Sequence, residues 1–162
     1  MTGPSYLHST NPRVAKAAFP FRHSYPVQVR FSDIDMLGHV NNNVYLSMFD
    51  LAKINYFHTL IGRPVAVPDL CMVVAHIDCD FLAPSFLGDD LKVWTQVTYI
   101  GEKSLKLEQR LVNNATGEVN CIARTVMVGY DPANLIVAPL RPDIVELMEK
   151  FEQHNLRSNN DD

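Results

Sequence analysis

From Val44 to about Leu60 the chain carries one segment with apolar residues at helical spacing, and almost everything after it reads as strand. Tyr45, Met48, Phe49, Ala52 and Tyr56 fall at i, i+3, i+4, i+7 and i+11, the period of one helix face. Leu46, Leu51, Ile54 and Phe57 add apolar groups on the remaining flanks. So wide an apolar surface predicts a helix buried on most sides, not one laid on a surface. Gly62 and then Pro64 supply its stop. Such a helix needs other elements wrapped around it.

The wrapping reads as a sheet. From Pro26 onward Val27, Val29 and Phe31 alternate with Gln28, Arg30 and Ser32, as in a half-buried strand. Downstream, Cys71, Val73, Ala75, Ile77, Cys79 and Phe81 make one parity wholly apolar, while His76, Asp78 and Asp80 wet the far half of the other. Residues 91–100, 104–112 and 118–130 are further strand candidates, joined by hairpin-like connections at 100–103 and 113–117. Pro142 to about His154 predicts a short terminal helix with the stripe Ile144, Val145, Met148 and Phe151, and Pro142 near its first position. The order predicts an α+β domain, an antiparallel sheet of about five strands wrapped around one long central helix, plus a short C-terminal helix. One helix leaves a face and edges of such a sheet uncovered, so a homodimer or homotetramer is expected. Residues 1–24 read as an N-terminal extension, 25–154 as the single domain and 155–162 as a flexible C-terminal tail.

Composition narrows the function classes. The 162 residues, 47% hydrophobic and 20% charged, suffice for one ordinary core. A net charge of -4 without a basic patch argues against a nucleic-acid partner. Pro4, Asn11, Pro12 and Arg13 stand where a secretory signal would be apolar, and no apolar run is long enough to span a bilayer. A cytoplasmic protein with no membrane partner is expected. Cys71, Cys79 and Cys121 lack metal-site spacing and read as buried reduced thiols. His58, His76 and His154 have no partners at metal-ligand spacing either, so no metal is expected.

Chemistry concentrates between the first strand and the helix. Asp33, Asp35, His39, Asn41, Asn42 and Asn43 crowd into one turn, followed by Val44 and Tyr45. The start of a buried helix points free N–H groups into a partly dry space, here expected near Asn43 to Tyr45. Such groups can hold a carbonyl oxygen as it becomes an oxyanion. A carboxylate just upstream can activate water or attack directly. Asp33 reads as a turn or cap group and the three asparagines as caps first. Asn41, Asn42, Asn43, Val44 and Tyr45 are the expected substrate-binding residues, with Tyr45 a wall of the site and not an acid.

The run FSDIDMLGHVNNNVY resembles the signature of the 4-hydroxybenzoyl-CoA thioesterase branch of the hotdog superfamily, aromatic-x-Asp-x-Asp-x-x-Gly-His-Val-Asn-Asn-x-x-Tyr. Phe81-Leu82-Ala83-Pro84 with Gly88-Asp89, and Val128-Gly129-Tyr130-Asp131, extend the resemblance over residues 26–142. It implies a hotdog fold and hydrolysis of an acyl-CoA or acyl-carrier-protein thioester without metal or bound organic cofactor, coenzyme A entering only as part of the substrate. It implies Asp35 as the catalytic carboxylate and His39 as a helper that binds the thioester or orients water; on its residues alone, His39 could equally bond the backbone. It also implies dimers whose two sheets join, with the motif loop of one subunit beside the helix of the next. Plant acyl-carrier-protein thioesterases look similar, but the Asn of their Asp-x-Asn-x-His constellation falls on Leu37, so their three-residue mechanism does not carry over. A non-catalytic acyl-thioester-binding or sensing protein of the same fold is the alternative from another class. A hotdog dehydratase would set its Asp and His later relative to the helix, a pattern absent here. Lys103 and Arg124 are either phosphate contacts or solvated strand-face charges.

Overall fold

The computed structural model describes residues 11–157, so residues 1–10 of the expected extension and 158–162 of the expected tail lie outside the described residues. The elements run β1 (His23–Val27), α1 (Asn42–Ile61), α2 (Val67–Leu70), β2 (Met72–Phe81), β3 (Leu91–Ile100), β4 (Ser104–Asn113), β5 (Val119–Asp131), β6 (Ile136–Val137) and α3 (Pro142–Glu152). One antiparallel sheet in the order β1-β3-β4-β5-β2, with the two-residue β6 beside β5, curls around α1. This is the hotdog fold: a sheet of five main strands around a long central helix, closed by a short C-terminal one.

The core follows from the two periods. Alternate residues Leu91, Val93 and Val97 of β3 and Leu105, Leu107 and Leu111 of β4 are buried on the face toward the helix. The α1 stripe of Tyr45, Met48, Phe49, Ala52, Tyr56 and Phe57 packs there, with no member above 3% exposure. Met48, Phe49 and Phe57 each contribute about 1.5–3 kcal/mol by leaving water. Gln109, buried on the same sheet face, donates from its amide nitrogen to the Phe49 carbonyl at 2.9 Å and to Thr95 Oγ1 at 3.1 Å, which fixes the middle of the helix on the sheet. Gly129 needs to be glycine, because a Cβ there would fall 2.2 Å from the Ala138 carbonyl oxygen.

Several expectations are corrected. The first strand begins earlier, at His23, and its alternation stops short of Phe31, which is 85% exposed. Arg30 and Asp33 close a 3₁₀ turn over Phe31–Asp33 and break the parity. The helix is not buried on most sides within one chain: Leu46, Leu51 and Ile54 are 39%, 58% and 43% exposed, because the sheet curls around one side only. Among the described residues β2 pairs with β5 alone and leaves its other edge open. Of the three cysteines only Cys121 is fully buried, since Cys71 and Cys79 sit beside or on that open strand. Ala17 and Phe21 of the extension pack against Val112, Val119 and Ile122 on the convex face of the sheet. At the other end Leu156 is 1% exposed and its carbonyl accepts from Ile100 N–H, so the packed chain runs past His154.

Candidate active site

The site begins with a carboxylate that is spent on structure. The Arg30 N–H donates to Asp33 Oδ2 at 2.7 Å, and the Arg30 guanidinium lies 3.1 Å from Oδ1. Asp33 is 3% exposed. Burial alone would raise its carboxyl, but the Arg30 amide and guanidinium together outweigh burial and hold it below the ordinary value. The Asp33 carbonyl accepts from Asn41 N–H at 2.9 Å, tying this turn to the start of α1. The expected turn and cap role of Asp33 is thus its observed one.

Two residues on, the second carboxylate is held differently. Ile34 and Val40 form an isolated antiparallel bridge, and the chain between them folds back on itself. Asp35 N–H donates to the His39 carbonyl at 2.9 Å, and Gly38 N–H donates to the Asp35 carbonyl at 3.0 Å. Gly38 sits at φ 81°, the left-handed region that glycine enters without steric cost. Asp35 Oδ1 accepts from Leu37 N–H at 2.9 Å. Asp35 Oδ2 has no protein partner among the described residues, and the side chain is only partly buried. The loop backbone is therefore fixed while one carboxylate oxygen stays available. His39, also partly buried, meets the Phe86 ring edge-on with centroids 5.4 Å apart.

The helix start departs from expectation in one respect. Asn41 is the N-cap: its Oδ1 accepts from Asn43 N–H at 3.0 Å and its carbonyl from Val44 N–H at 2.9 Å. Two of the amides expected to face a substrate are thus engaged by the cap. The Asn42 N–H, first of the helix, is the one left unclaimed among the described residues. The Asn42 and Asn43 side chains are exposed, Asn41 and Val44 are partly buried, and Tyr45 is buried. Burial raises the Tyr45 phenol against the lowering contact with Ser85, so it stays protonated and donates to Ser85 Oγ at 3.1 Å.

A second segment, missed in the sequence, frames the site from the far side. The loop after β2 brings Ser85 and Phe86 against the motif: the Ser85 carbonyl accepts from Val40 N–H at 2.9 Å. Met36, Leu37, Phe86 and Leu87, at 98%, 73%, 45% and 54% exposed, add apolar surface on these two loops. Two large cavities, of about 500 and 630 Å³, lie elsewhere. One is between residues 20–22 and the helices α1 and α3, and the other is on the convex sheet face. Arg124, one of the two candidate phosphate contacts, is paired across strands with Asp78 and Asp80. Among the described residues no group of three or more His, Cys, Asp or Glu is placed to hold a metal ion, and no helix is long and apolar enough to cross a membrane.

A hotdog fold alone does not fix an activity; its likeness to known proteins makes the chain a thioesterase, a hydrolase of thioester bonds. The chain belongs to the thioesterase-like superfamily, whose family model matches residues 29–148. It is 33% identical over 113 residues to the uncharacterized protein YsmA of Bacillus subtilis, covering 70% of this chain and 74% of that one. It is 32% identical over 108 residues to the acyl-CoA thioesterase YbgC of Haemophilus influenzae, covering 61% and 79%. A thioesterase from Thermus thermophilus, solved in complex with coenzyme A and zinc, superposes with a TM-score of 0.72 at 34% identity, covering 84% of this chain and 98% of that one.

Proposed function

We propose that this protein hydrolyses acyl-CoA thioesters through Asp35, with the Asn42 N–H receiving the negative charge that develops on the carbonyl oxygen. One observation carries the reading: Asp35 keeps an unclaimed carboxylate oxygen on a backbone-fixed loop beside a helix whose first amide is also unclaimed. In one route Asp35 removes a proton from water, whose oxygen adds to the carbonyl. The tetrahedral intermediate then expels the thiolate, which takes up the proton. In the other route Asp35 adds to the carbonyl and displaces the thiolate, and water cleaves the resulting anhydride to regenerate the carboxylate. His39 positions the thioester or the water. Asn41, Asn42, Asn43, Val44 and Tyr45 form the substrate-side wall, with Tyr45 holding it from behind. No metal or bound organic cofactor takes part in either route. The relatives described as acyl-CoA thioesterases support coenzyme A as the carrier, and an acyl-carrier protein is the competing one.

The working unit is a homodimer, or two such dimers, in the cytoplasm. The open edge of β2 and the exposed Leu51 and Ile54 of α1 support a second copy completing the substrate channel. Release of free thiol from a panel of acyl-CoA and acyl-carrier-protein thioesters, with light scattering on the same sample, tests both statements. Turnover of at least one acyl-CoA by a dimer or larger species is expected. Tight binding of acyl-CoA without thiol release would replace the reading by that of a sensor. Full activity from a monomer would remove the shared channel.

A further inference from the structure

The loop that follows β2 touches the motif at three places. The Ser85 carbonyl accepts from Val40 N–H at 2.9 Å, directly after His39. Ser85 Oγ accepts from Tyr45 OH at 3.1 Å, in the first turn of α1. Phe86 packs edge-on against the His39 ring. Ser85 is itself fully buried and anchored from behind, because Asn120 of β5 donates from Nδ2 to Ser85 Oγ at 2.8 Å and to the Pro84 carbonyl at 3.2 Å. The Asn120 carbonyl in turn accepts from Leu82 and Ala83 N–H, so one strand residue holds the loop from Leu82 to Ser85. The loop is closed further on by Asp89, which accepts from Phe86 N–H at 2.8 Å.

The geometry points to Ser85 as a positioning residue for the thioesterase reaction: it clamps the His39–Val40 limb of the motif loop and the first turn of α1 to β5, and so fixes Asp35 and His39 relative to the Asn42 N–H. The inference rests on the proposed function of that site. Its physical basis is that catalysis by a carboxylate and an amide donor depends on their separation, and small displacements cost rate out of proportion to stability. Neither the Asp35 loop nor the first helical turn reaches β5 by its own polar side chains; Ser85 and Tyr45 make that link. A buried hydroxyl used only to fill space would not join two separate parts of one site.

The test uses Ser85→Ala, which removes the hydroxyl that accepts from both Tyr45 and Asn120, Tyr45→Phe, which removes only the first of these bonds, and the double variant. Assayed well below the unfolding midpoint, each single variant is expected to lose about tenfold in kcat with KM within about twofold of wild type. The pH profile should keep its shape, and the double variant should be no worse than Ser85→Ala, which already removes the bond to Tyr45. Amide hydrogen exchange gives a readout independent of activity. Ser85→Ala keeps the carbonyl that accepts from Val40 N–H but frees it from its side-chain anchors, so the Val40 N–H should exchange at least about tenfold faster, while Gly62 N–H, at the far end of α1, should not change. If Ser85→Ala does not fold, Tyr45→Phe carries the same measurements. A folded variant with kcat within twofold of wild type, losses that multiply in the double variant, or unchanged Val40 exchange would each overturn the assignment. Should wild type hydrolyse no acyl-CoA at all, the proposed function fails, and the exchange experiment still decides whether Ser85 clamps the loop.

Discussion

The two ends of α1 use similar polar groups for opposite purposes. At the C-terminal end Glu152 of α3 is 1% exposed, and its Oε1 accepts from Tyr56 OH at 2.6 Å and from Val97 N–H at 2.8 Å. Burial pushes its carboxyl up to about 7, against the lowering contacts with Tyr56, Val97 and Arg22. Burial lowers His23, whose Nε2 lies 2.9 Å from Asn55 Oδ1. It also lowers His154, which stacks on Phe19 with ring centroids 3.6 Å apart. At the N-terminal end Asp35 is only partly buried and keeps an oxygen free. Glu152 Oε2 has no hydrogen-bond partner either, but it is shut off from solvent, so this carboxyl ties elements together and has nothing to offer a substrate. A carboxylate whose backbone is fixed but whose oxygen is open can act on something that arrives. Asp33 and Asp35 repeat the contrast two residues apart.

The contrast can be broken first at the closed end. Glu152→Ala leaves the Tyr56 hydroxyl and Val97 N–H without their acceptor and opens a cavity against α3. Offset by relief of the buried charge, the loss should be about 2–4 kcal/mol by denaturant unfolding, with kcat/KM of the folded protein unchanged. A large loss of kcat would mean that the two ends are coupled. The next effect is on pH. A folded pKa near 7 against an ordinary 4.5 means the folded state binds the Glu152 proton more tightly. Its stability contribution is complete below about pH 4.5 and is lost as pH rises toward 7. His23 and His154 act in the opposite sense, losing stability as pH falls below their ordinary 6.5. Glu152→Gln should therefore remove about 2 kcal/mol of decline in stability between pH 5 and 7.5, the histidines acting alike in both proteins. An unchanged slope would assign that dependence to other groups. Smallest is His39→Ala, expected to lower kcat/KM about tenfold, since a group that positions substrate costs less than one that makes or breaks bonds. A hundredfold loss would move His39 into the chemistry itself.

What could be read beforehand follows the same division. The α1 stripe was legible because its period and its burial coincide, and the sheet because its alternation does. Phe31 was misread because parity was carried through Arg30, where a bond to Asp33 turns the chain. The cap was not assignable beforehand because three consecutive asparagines can each cap a helix, and only the fold shows that Asn41 does. Glu152 was hidden by its charge: it lies four residues beyond Met148 and continues the buried stripe that Phe151 was expected to end. Leu156 was hidden in a polar tail. Ser85 gives no local signal, because its partners lie 40 residues before it and 35 after it.

The division of labour is tested most directly by Asp35→Asn, measured for thioester hydrolysis and thermal unfolding in one preparation. The substitution keeps the shape and the acceptor for Leu37 N–H and removes only the charge. The expected result is a loss of at least about a hundredfold in kcat, with an unfolding midpoint within about 2 °C of wild type. Near-normal turnover by the folded variant would contradict the assignment of the chemistry to Asp35.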